Sequence, residues 1–198
     1  MQSLNAETKK IILRDIVAED FTNLKKVYND PSVLRYLARI PFDDNAIKER
    51  LVDMINYRKL NLQSSSAIID KNTNEFIGFI RIDFYPTIAY VKEHNNQIKG
   101  IINELSPGGH IQSAYLLSNY QNKGYMTEVI GLLTDYLRKN KIKYMFGSVH
   151  NKNIAVKKLL DKFKFRYIST APINLESLQI PLSINSLNDE HFAISEIK

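Results

Sequence analysis

The stretch IQSAYLLSNYQNKGYMTEVIGLLTDYLRKN, residues 111–140, decides the fold because a strand pattern runs through a polar turn into a long amphipathic helix. Residues 111–117 are apolar and compatible with a β-strand, whereas residues 118–123 are polar. Apolar residues then recur at helical spacing, at Met126, Val129, Ile130, Leu133, Tyr136 and Leu137. The pattern predicts a strand, a turn and a helix that begins at the turn.

The turn before this helix has the chemistry of an anion-binding site. Backbone N–H groups in the first turn of a helix lack intrahelical partners, and the peptide dipoles add partial positive charge there. Gly124 has no Cβ to hold a phosphate away from those groups, Lys123 adds a cation, and Gln121 precedes them. These residues predict a pyrophosphate-binding turn, although a connection with one glycine is also ordinary between a strand and a helix.

The composition is that of an ordinary soluble globular protein, and 198 residues suffice for one domain with a single core. A net charge of +6 favours acidic partners such as phosphorylated cofactors, nucleic acid or ribosomal surfaces, or serves solubility alone. The lysines are scattered and form no long basic run. Nucleic acid is therefore an unlikely partner except as part of a ribosomal or tRNA substrate.

The chain has no cysteine, which excludes disulfides, thiolate metal sites and cysteine nucleophiles. The N-terminal MQSLNAETKK lacks the apolar core of a signal peptide, and no run of about 18 apolar residues follows it. We therefore expect a soluble, cytoplasmic protein with no membrane partner.

Hydrophobic periodicity predicts an alternation of strands and helices along the rest of the chain. Predicted strands cover residues 10–15, 65–69, 75–84, 142–149, 165–170 and 191–197, and predicted helices cover residues 33–37, 43–59 and 153–163, with a further helix opening at residue 17. Turn-forming residues 70–74 make a hairpin of the second and third strands. Residues 85–109 are an irregular insertion that either orders over a substrate or is a tolerated surface loop.

Three segments resemble the GNAT superfamily of N-acetyltransferases: QNKGYMTE at residues 121–128, NKNIAVKKLLDKFKF at residues 151–165 and LRDIVAEDF at residues 13–21. DPSVLRYL at residues 30–37 is similar to the early helical region of the branch that acetylates the N-termini of ribosomal proteins. The resemblance implies an α/β fold over residues 1–198, with a mixed, mostly antiparallel central sheet, splayed middle strands and helices on both faces.

The resemblance also implies where acetyl-CoA, the co-substrate, binds. The turn and the helix start would hold its pyrophosphate through Gln121, Asn122, Lys123, Gly124, Tyr125 and Met126. The strand backbone at Tyr115, Leu116 and Leu117 would pair with its pantetheine arm and thioester. Met126 departs from the small residue of the family, so its side chain must point away from the phosphate. Asn153 matches a family asparagine that contacts the cofactor, although a helix N-cap also explains it.

Several positions depart from the family where relatives carry proton-transfer residues. Leu160 stands where many relatives have a tyrosine, and Val156 stands where the ribosomal-protein branch often has a serine. Gln112 and Ser148 stand where relatives place a glutamate base. The resemblance therefore assigns no proton donor and no carboxylate to this chain.

Two histidines lie near the expected acceptor site, and His110 is preferred to His150 as a candidate base because it lies on the central strand. Each is also explained as an exposed histidine at a strand end. Tyr36, in the early helical region, is a candidate substrate contact or a core residue.

The function implied is transfer of an acetyl group from acetyl-CoA to a primary amine, by direct attack in a ternary complex and without a metal. An α-amino group has a pKa near ~8 against about 10.4 for lysine, so it needs less help to lose its proton. The acceptor is a protein N-terminus, a small-molecule amine or an aminoacyl group on RNA. The departures at the catalytic positions leave a non-catalytic acyl-CoA-binding protein as the alternative.

Overall fold

The computed structural model of the chain describes residues 3–36, 41–84, 108–170 and 190–197, so most of the predicted insertion lies outside the described residues. The strands are β1 (Ala6–Glu7), β2 (Ile11–Asp15), β3 (Gln63–Asp70), β4 (Phe76–Asp83), β5 (Gly108–Leu116), β6 (Tyr144–His150), β7 (Arg166–Thr170) and β8 (Glu190–Glu196). The helices are α1 (Phe21–Tyr28), α2 (Pro31–Leu34), α3 (Asp44–Lys59), α4 (Tyr125–Lys139) and α5 (Ile154–Lys162).

The strands form one mixed sheet in the order β1-β2-β3-β4-β5-β6-β8-β7. Every adjacent pair is antiparallel except β5 and β6, which run parallel. A parallel pair requires a long crossover, and α4 lies in the connection between these two strands. The predicted α/β class with a mostly antiparallel sheet is confirmed.

The two middle strands separate before they end. Their pairing runs from Gly108 opposite Tyr144 to Ile111 opposite Gly147. β5 continues for five residues beyond Ile111, and β6 continues for three beyond Gly147, with no pairing between them. The predicted splay is therefore present, and its closed end lies at the pair Ile111–Gly147.

Each face of the sheet carries its own apolar cluster. On one face, strand residues such as Leu13, Ile80 and Ile82 pack with α4, which contributes Val129, Ile130, Leu133 and Leu137, and with Leu160 of α5. On the other face, Ala67, Ile69 and Phe79 pack with residues of α1, α2 and α3, which are Leu24, Val27, Tyr28, Val33, Ile47, Leu51 and Met54. Helices thus cover both faces, as predicted.

Two predicted boundaries are wrong for physical reasons. The predicted insertion ends at residue 109, but Gly108 and Gly109 are buried in β5, where a Cβ on Gly108 would lie 2.2 Å from the Phe146 ring. The second helix covers Pro31–Leu34 and not residues 33–37, because Asp30 caps it and Pro31 suits its first turn. The short strand β1 was not predicted.

Gly78 in β4 is a position of close approach between two strands. An ideal Cβ at Gly78 would lie 2.1 Å from the Tyr115 carbonyl oxygen of β5. The glycine thus allows the two strands to pair tightly, beside the edge that opens toward β6.

Among the described residues, no helix has both the length and the apolar character needed to span a membrane.

Candidate active site at the open end of the sheet

The turn before α4 has the backbone of an uncapped helix N-terminus. Asn122 and Gly124 adopt positive φ values of 59° and 85°, and no side chain caps the helix at Gly124. The first helical hydrogen bond runs from Glu128 N–H to the Gly124 carbonyl at 3.3 Å. The N–H groups of Tyr125, Met126 and Thr127 therefore have no helical acceptor, which is the arrangement that favours an anion.

The space beside Gly124 is open among the described residues. A Cβ placed on Gly124 would come within 4 Å of one described atom, the ammonium of Lys10, at 3.9 Å. Lys10 lies just before β2, and its Nζ is 3.6 Å from Oε1 of Glu128. The other carboxylate oxygen of Glu128 accepts a hydrogen bond from the Thr8 hydroxyl. The exposed Lys123 lies with its Nζ 5.9 Å from the centre of the Tyr120 ring. The turn therefore carries two cations, and sequence analysis identified only Lys123.

Two tyrosines fasten the turn to the hairpin of β3 and β4. Tyr125 donates a hydrogen bond from its hydroxyl to Asp70, Tyr120 donates one to Glu75, and the two rings lie 5.8 Å apart. The bond to Asp70, with burial, raises the pKa of Tyr125 to about 12. The same bond holds the pKa of Asp70 below its usual range. The side chain of Tyr125 thus supports the turn, while its backbone N–H faces the open space.

Gln121 ties the turn to β5 and to α2. Its Nε2 donates to the Leu116 carbonyl at 2.9 Å and to Oγ of Ser32 at 2.7 Å. Ser32 in turn donates to Asp30, whose other oxygen accepts from the Ser118 N–H. Burial raises the pKa of Asp30, but these hydrogen bonds outweigh it and leave the pKa lowered. The side chain of Gln121 therefore positions the turn through contacts within the protein.

The end of β5 presents backbone groups to the opening. Leu117 N–H donates to the Ile77 carbonyl of β4 at 2.9 Å, and backbone groups alternate in direction along a strand. The amide and carbonyl of Leu116 therefore point away from β4, toward the gap between β5 and β6. The ring of Tyr115 packs against the ring of Phe79 at a centroid distance of 5.3 Å. This contact holds β5 against β4.

The remaining predicted positions on this side are occupied by structural contacts. Asn153 is the N-cap of α5, and its Oδ1 accepts from the Val156 N–H at 3.2 Å. The side chain of Met126 packs against the core cluster beneath α4. Leu160 is a buried core residue.

A polar cluster lies beside the closed end of the opening. His110 is 7% exposed, and its Nδ1 accepts from the Gln112 side-chain amide at 2.9 Å. Asp83 is the strand partner of His110, accepts from the Gln63 amide and lies 3.7 Å from Nε of Arg81. Burial raises the pKa of Asp83, although Arg81, Gln63 and Gln112 each act to lower it.

His110 is thus not the exposed strand-end histidine that one interpretation of the sequence described. It lies inside β5 because that strand begins at Gly108. Sequence analysis also missed Asp83. A usable signal was the alternation of Arg81 and Asp83 with Ile80 and Ile82, which places two charged residues on one face of a central strand.

Tyr36 and His150 meet across the open end of the sheet. Their rings lie 5.6 Å apart, and both side chains are half-buried. Nδ1 of His150 accepts a hydrogen bond from the Lys152 N–H at 3.1 Å, which leaves the proton of the neutral ring on Nε2. The segment after α2 therefore reaches the end of β6 and borders the opening.

Comparison with known proteins identifies relatives of this arrangement. A family model described as "Acetyltransferase (GNAT) domain" matches residues 10–166. An "Uncharacterized N-acetyltransferase p20" of Bacillus licheniformis is 27% identical over 165 residues, which cover 80% of each chain.

Solved structures share the fold at lower identity. A ribosomal-protein-S5-alanine acetyltransferase from Vibrio fischeri is 18% identical with a TM-score of 0.71, and the match covers 98% of this chain and 97% of that one. A spermidine N-acetyltransferase from Vibrio cholerae, in complex with CoA and spermine, is 14% identical with a TM-score of 0.68, covering 96% and 97%.

Proposed function

Because the chain belongs to the family of GNAT acetyltransferases, we propose that the N-terminus of α4 binds the pyrophosphate of acetyl-CoA, and that the acetyl group passes to a primary amine at the splayed strands. The enzyme is an acyltransferase. We assign below the residues that hold acetyl-CoA and the class of amine that accepts the acetyl group.

One observation carries the proposal: the first N–H groups of α4 lack a side-chain cap and face open space beside Gly124. Helix starts commonly carry a capping Ser, Thr, Asp or Asn. A helix start without one, next to the ammonium groups of Lys10 and Lys123, suits a ligand with two phosphates.

The opening between β5 and β6 leads from this turn to the closed end of the splay. From Leu116 to Ile111, β5 covers roughly 17 Å at about 3.3 Å per residue. The pantetheine arm contains two amide groups, which can pair with backbone groups such as the N–H of Leu116, whose carbonyl already accepts from Gln121. Such a placement brings the thioester close to the pair Ile111–Gly147 and to the polar cluster on β4 and β5.

We propose a protein N-terminus as the acceptor. Related structures include an enzyme for ribosomal protein S5 and one for spermidine, so both classes of amine are known for this fold. The lower pKa of an α-amino group makes it the easier nucleophile. The net charge of +6 favours an acidic assembly, and a chain without cysteine suits a cytoplasmic enzyme.

The test combines binding with transfer. Calorimetry with acetyl-CoA establishes binding first, and mass spectrometry then follows acetylation of three acceptors: a peptide beginning with alanine, the same peptide with a blocked N-terminus and one free lysine, and spermidine. We expect acetylation of the first peptide at least about tenfold faster than the second, because their amines differ by about two pKa units. Transfer to spermidine alone would assign a small-molecule acceptor, and binding without transfer would contradict the proposed reaction.

A further inference from the structure

We propose that Asp83 is the proton acceptor for the attacking amine, held in place by Gln63, Gln112 and Arg81. The inference deepens the proposed function and rests on it. The family resemblance assigns no carboxylate to this chain, so the role of Asp83 follows from its position in the sheet.

Asp83 lies on the sheet face opposite α4. Ile80 and Ile82 of β4 belong to the apolar cluster beneath α4, and Phe79 belongs to the cluster beneath α1–α3. Side chains alternate along a strand, so Arg81 and Asp83 face the same side as Phe79. The proposed pyrophosphate site is at the start of α4, so an amine approaching from the α1–α3 face does not compete with the co-substrate for space.

The level of Asp83 along the sheet matches the closed end of the splay. Asp83 pairs with His110, and His110 pairs in turn with Phe146 of β6. The next pair, Ile111–Gly147, is the last before the strands part. Neighbouring strands lie about 4.8 Å apart, so Asp83 is one strand from the position where the opening ends. An amine bound over β5 at this level lies between the carboxylate and the thioester.

The surroundings of Asp83 suit a carboxylate that gains and loses a proton. Its side chain is 20% exposed, so it is sheltered yet reachable. The charged neighbour of Asp83 is Arg81, 3.7 Å away on the same strand. β5 contributes the titratable His110, and β3 contributes the neutral Gln63 and Ser65. Burial outweighs the hydrogen bonds and the Arg81 charge, so the pKa of Asp83 is raised and its affinity for a proton exceeds that of an exposed aspartate.

Nδ1 of His110 is already engaged by a neighbouring side chain, which leaves Asp83 as the acceptor for the amine proton. This Nδ1 accepts a hydrogen bond from Gln112, so in the neutral ring Nε2 carries the proton and is a donor. The Gln112 amide also hydrogen-bonds to Asp83 and lowers its pKa. Gln112 therefore links the two groups, and we assign His110 and Gln112 to positioning.

The reaction balances with the groups present. Asp83 as carboxylate takes one proton from the acceptor ammonium, and the neutral nitrogen attacks the thioester carbonyl carbon to form a C–N bond. The C–S bond breaks, the electron pair leaves with sulfur, and the second proton lost by nitrogen ends on the thiol. Asp83 then returns its proton to solvent, so each turnover converts ammonium and thioester into amide, thiol and one released proton.

The test compares Asp83→Asn with Asp15→Asn. Asp15 is a matched control because it is a half-buried β-strand carboxylate near an arginine, 3.7 Å from Arg58, but it faces the α4 side of the sheet. Calorimetry with acetyl-CoA and the rate of transfer to a peptide with an N-terminal alanine are measured from pH 4.5 to 9. The wild-type rate should fall at acid pH as Asp83 becomes protonated, and its raised pKa places this fall above the usual aspartate range.

For Asp83→Asn we expect unchanged acetyl-CoA affinity and a rate lowered about a hundredfold at pH 6.5. The defect should shrink to within about tenfold at pH 9, because above pH ~8 the α-amine is neutral without help. Asp15→Asn should keep the wild-type pH profile. His110→Asn should lower the transfer rate but keep the fall of that rate at acid pH.

Three results would overturn the inference: an Asp83→Asn rate within about threefold of wild type across the range, a loss that is equal at every pH, or a parallel loss of acetyl-CoA binding. The first would leave the proposed function intact and assign the proton to solvent or to another group. A wild-type protein that binds acetyl-CoA and acetylates no amine would instead refute the proposed function, and the inference with it.

Discussion

The N-termini of α4 and α5 differ in how their first N–H groups are satisfied. α5 begins at Asn153, whose side chain accepts a hydrogen bond from the Val156 N–H. α4 begins at Gly124, a left-handed residue without a side chain, and no side chain within the described ranges caps the helix. Both helices are connected to strands that border the splay, yet only α4 leaves its dipole end open.

This difference shows which helix start is built for a ligand. Glycine at the N-cap costs only about a few tenths of a kcal/mol relative to a capping side chain, so α4 leaves its first N–H groups uncapped with little loss of stability. Tyr125 and Tyr120 hold the turn to the β3–β4 hairpin instead, and Gln121 holds it to β5 and α2. The turn is therefore rigid without using its own N–H groups, which stay available to an anion.

The largest effect is expected at Gly124. Gly124→Ala and Gly124→Asn each place a Cβ in front of the N–H groups, and we expect acetyl-CoA affinity to fall about a hundredfold or more by calorimetry, because two or more charge-assisted hydrogen bonds are lost. Asn tolerates the left-handed conformation better than Ala, so the Asn variant should be the more stable of the two in thermal unfolding.

Gly131→Ala is the control for this pair. Gly131 lies inside α4, and a Cβ there meets nothing within 4 Å. It should leave acetyl-CoA affinity unchanged and raise stability slightly, because alanine favours a helix by up to about 1 kcal/mol over glycine. Wild-type affinity in Gly124→Asn would contradict an anion site at this position, because a Cβ there would then not impede the ligand.

The turn could be predicted from sequence because its information is local. A strand pattern, a glycine and a helical pattern follow one another within residues 111–140, and the chemistry depends mainly on backbone groups. The uncapped N-terminus follows from the identity of Gly124 alone, and the N-cap role of Asn153 follows from its place before the next helix.

The polar cluster and the second cation could not be predicted in the same way. Asp83 meets His110 only through the register of β4 and β5, which local patterns do not specify and which a bulge shifts between Arg81 and Ile82. The ammonium of Lys10 lies close to Gly124 because α4 packs against the face of the sheet that β2 helps to form. Both contacts depend on pairings between segments that are distant in the chain.

A smaller effect is expected when the support of the turn is removed. Gln121→Ala deletes the hydrogen bonds to the Leu116 carbonyl and to Ser32, so the N–H groups of α4 lose their fixed direction. We expect acetyl-CoA affinity to fall about tenfold, since two hydrogen bonds of roughly 1 kcal/mol each hold the turn. Asn119→Ala, an exposed neighbour in the preceding 3-10 turn, should change nothing. Equal affinities in the two variants would mean that the tyrosines alone hold the turn.

The smallest effect is expected at Asn153, where stability and binding can be separated. The N-cap uses Oδ1, whereas a contact with the co-substrate requires the amide donor Nδ2. Asn153→Asp keeps a capping oxygen and removes that donor, so it should preserve the melting temperature and lower acetyl-CoA affinity about threefold. Asn153→Ala should lose the affinity and also about 1 kcal/mol of stability, or roughly 2–4 °C in the melting temperature. If Asn153→Asp binds acetyl-CoA as tightly as the wild type, Asn153 is a cap alone, and the start of α4 is left as the only helix end of this pair that meets the ligand.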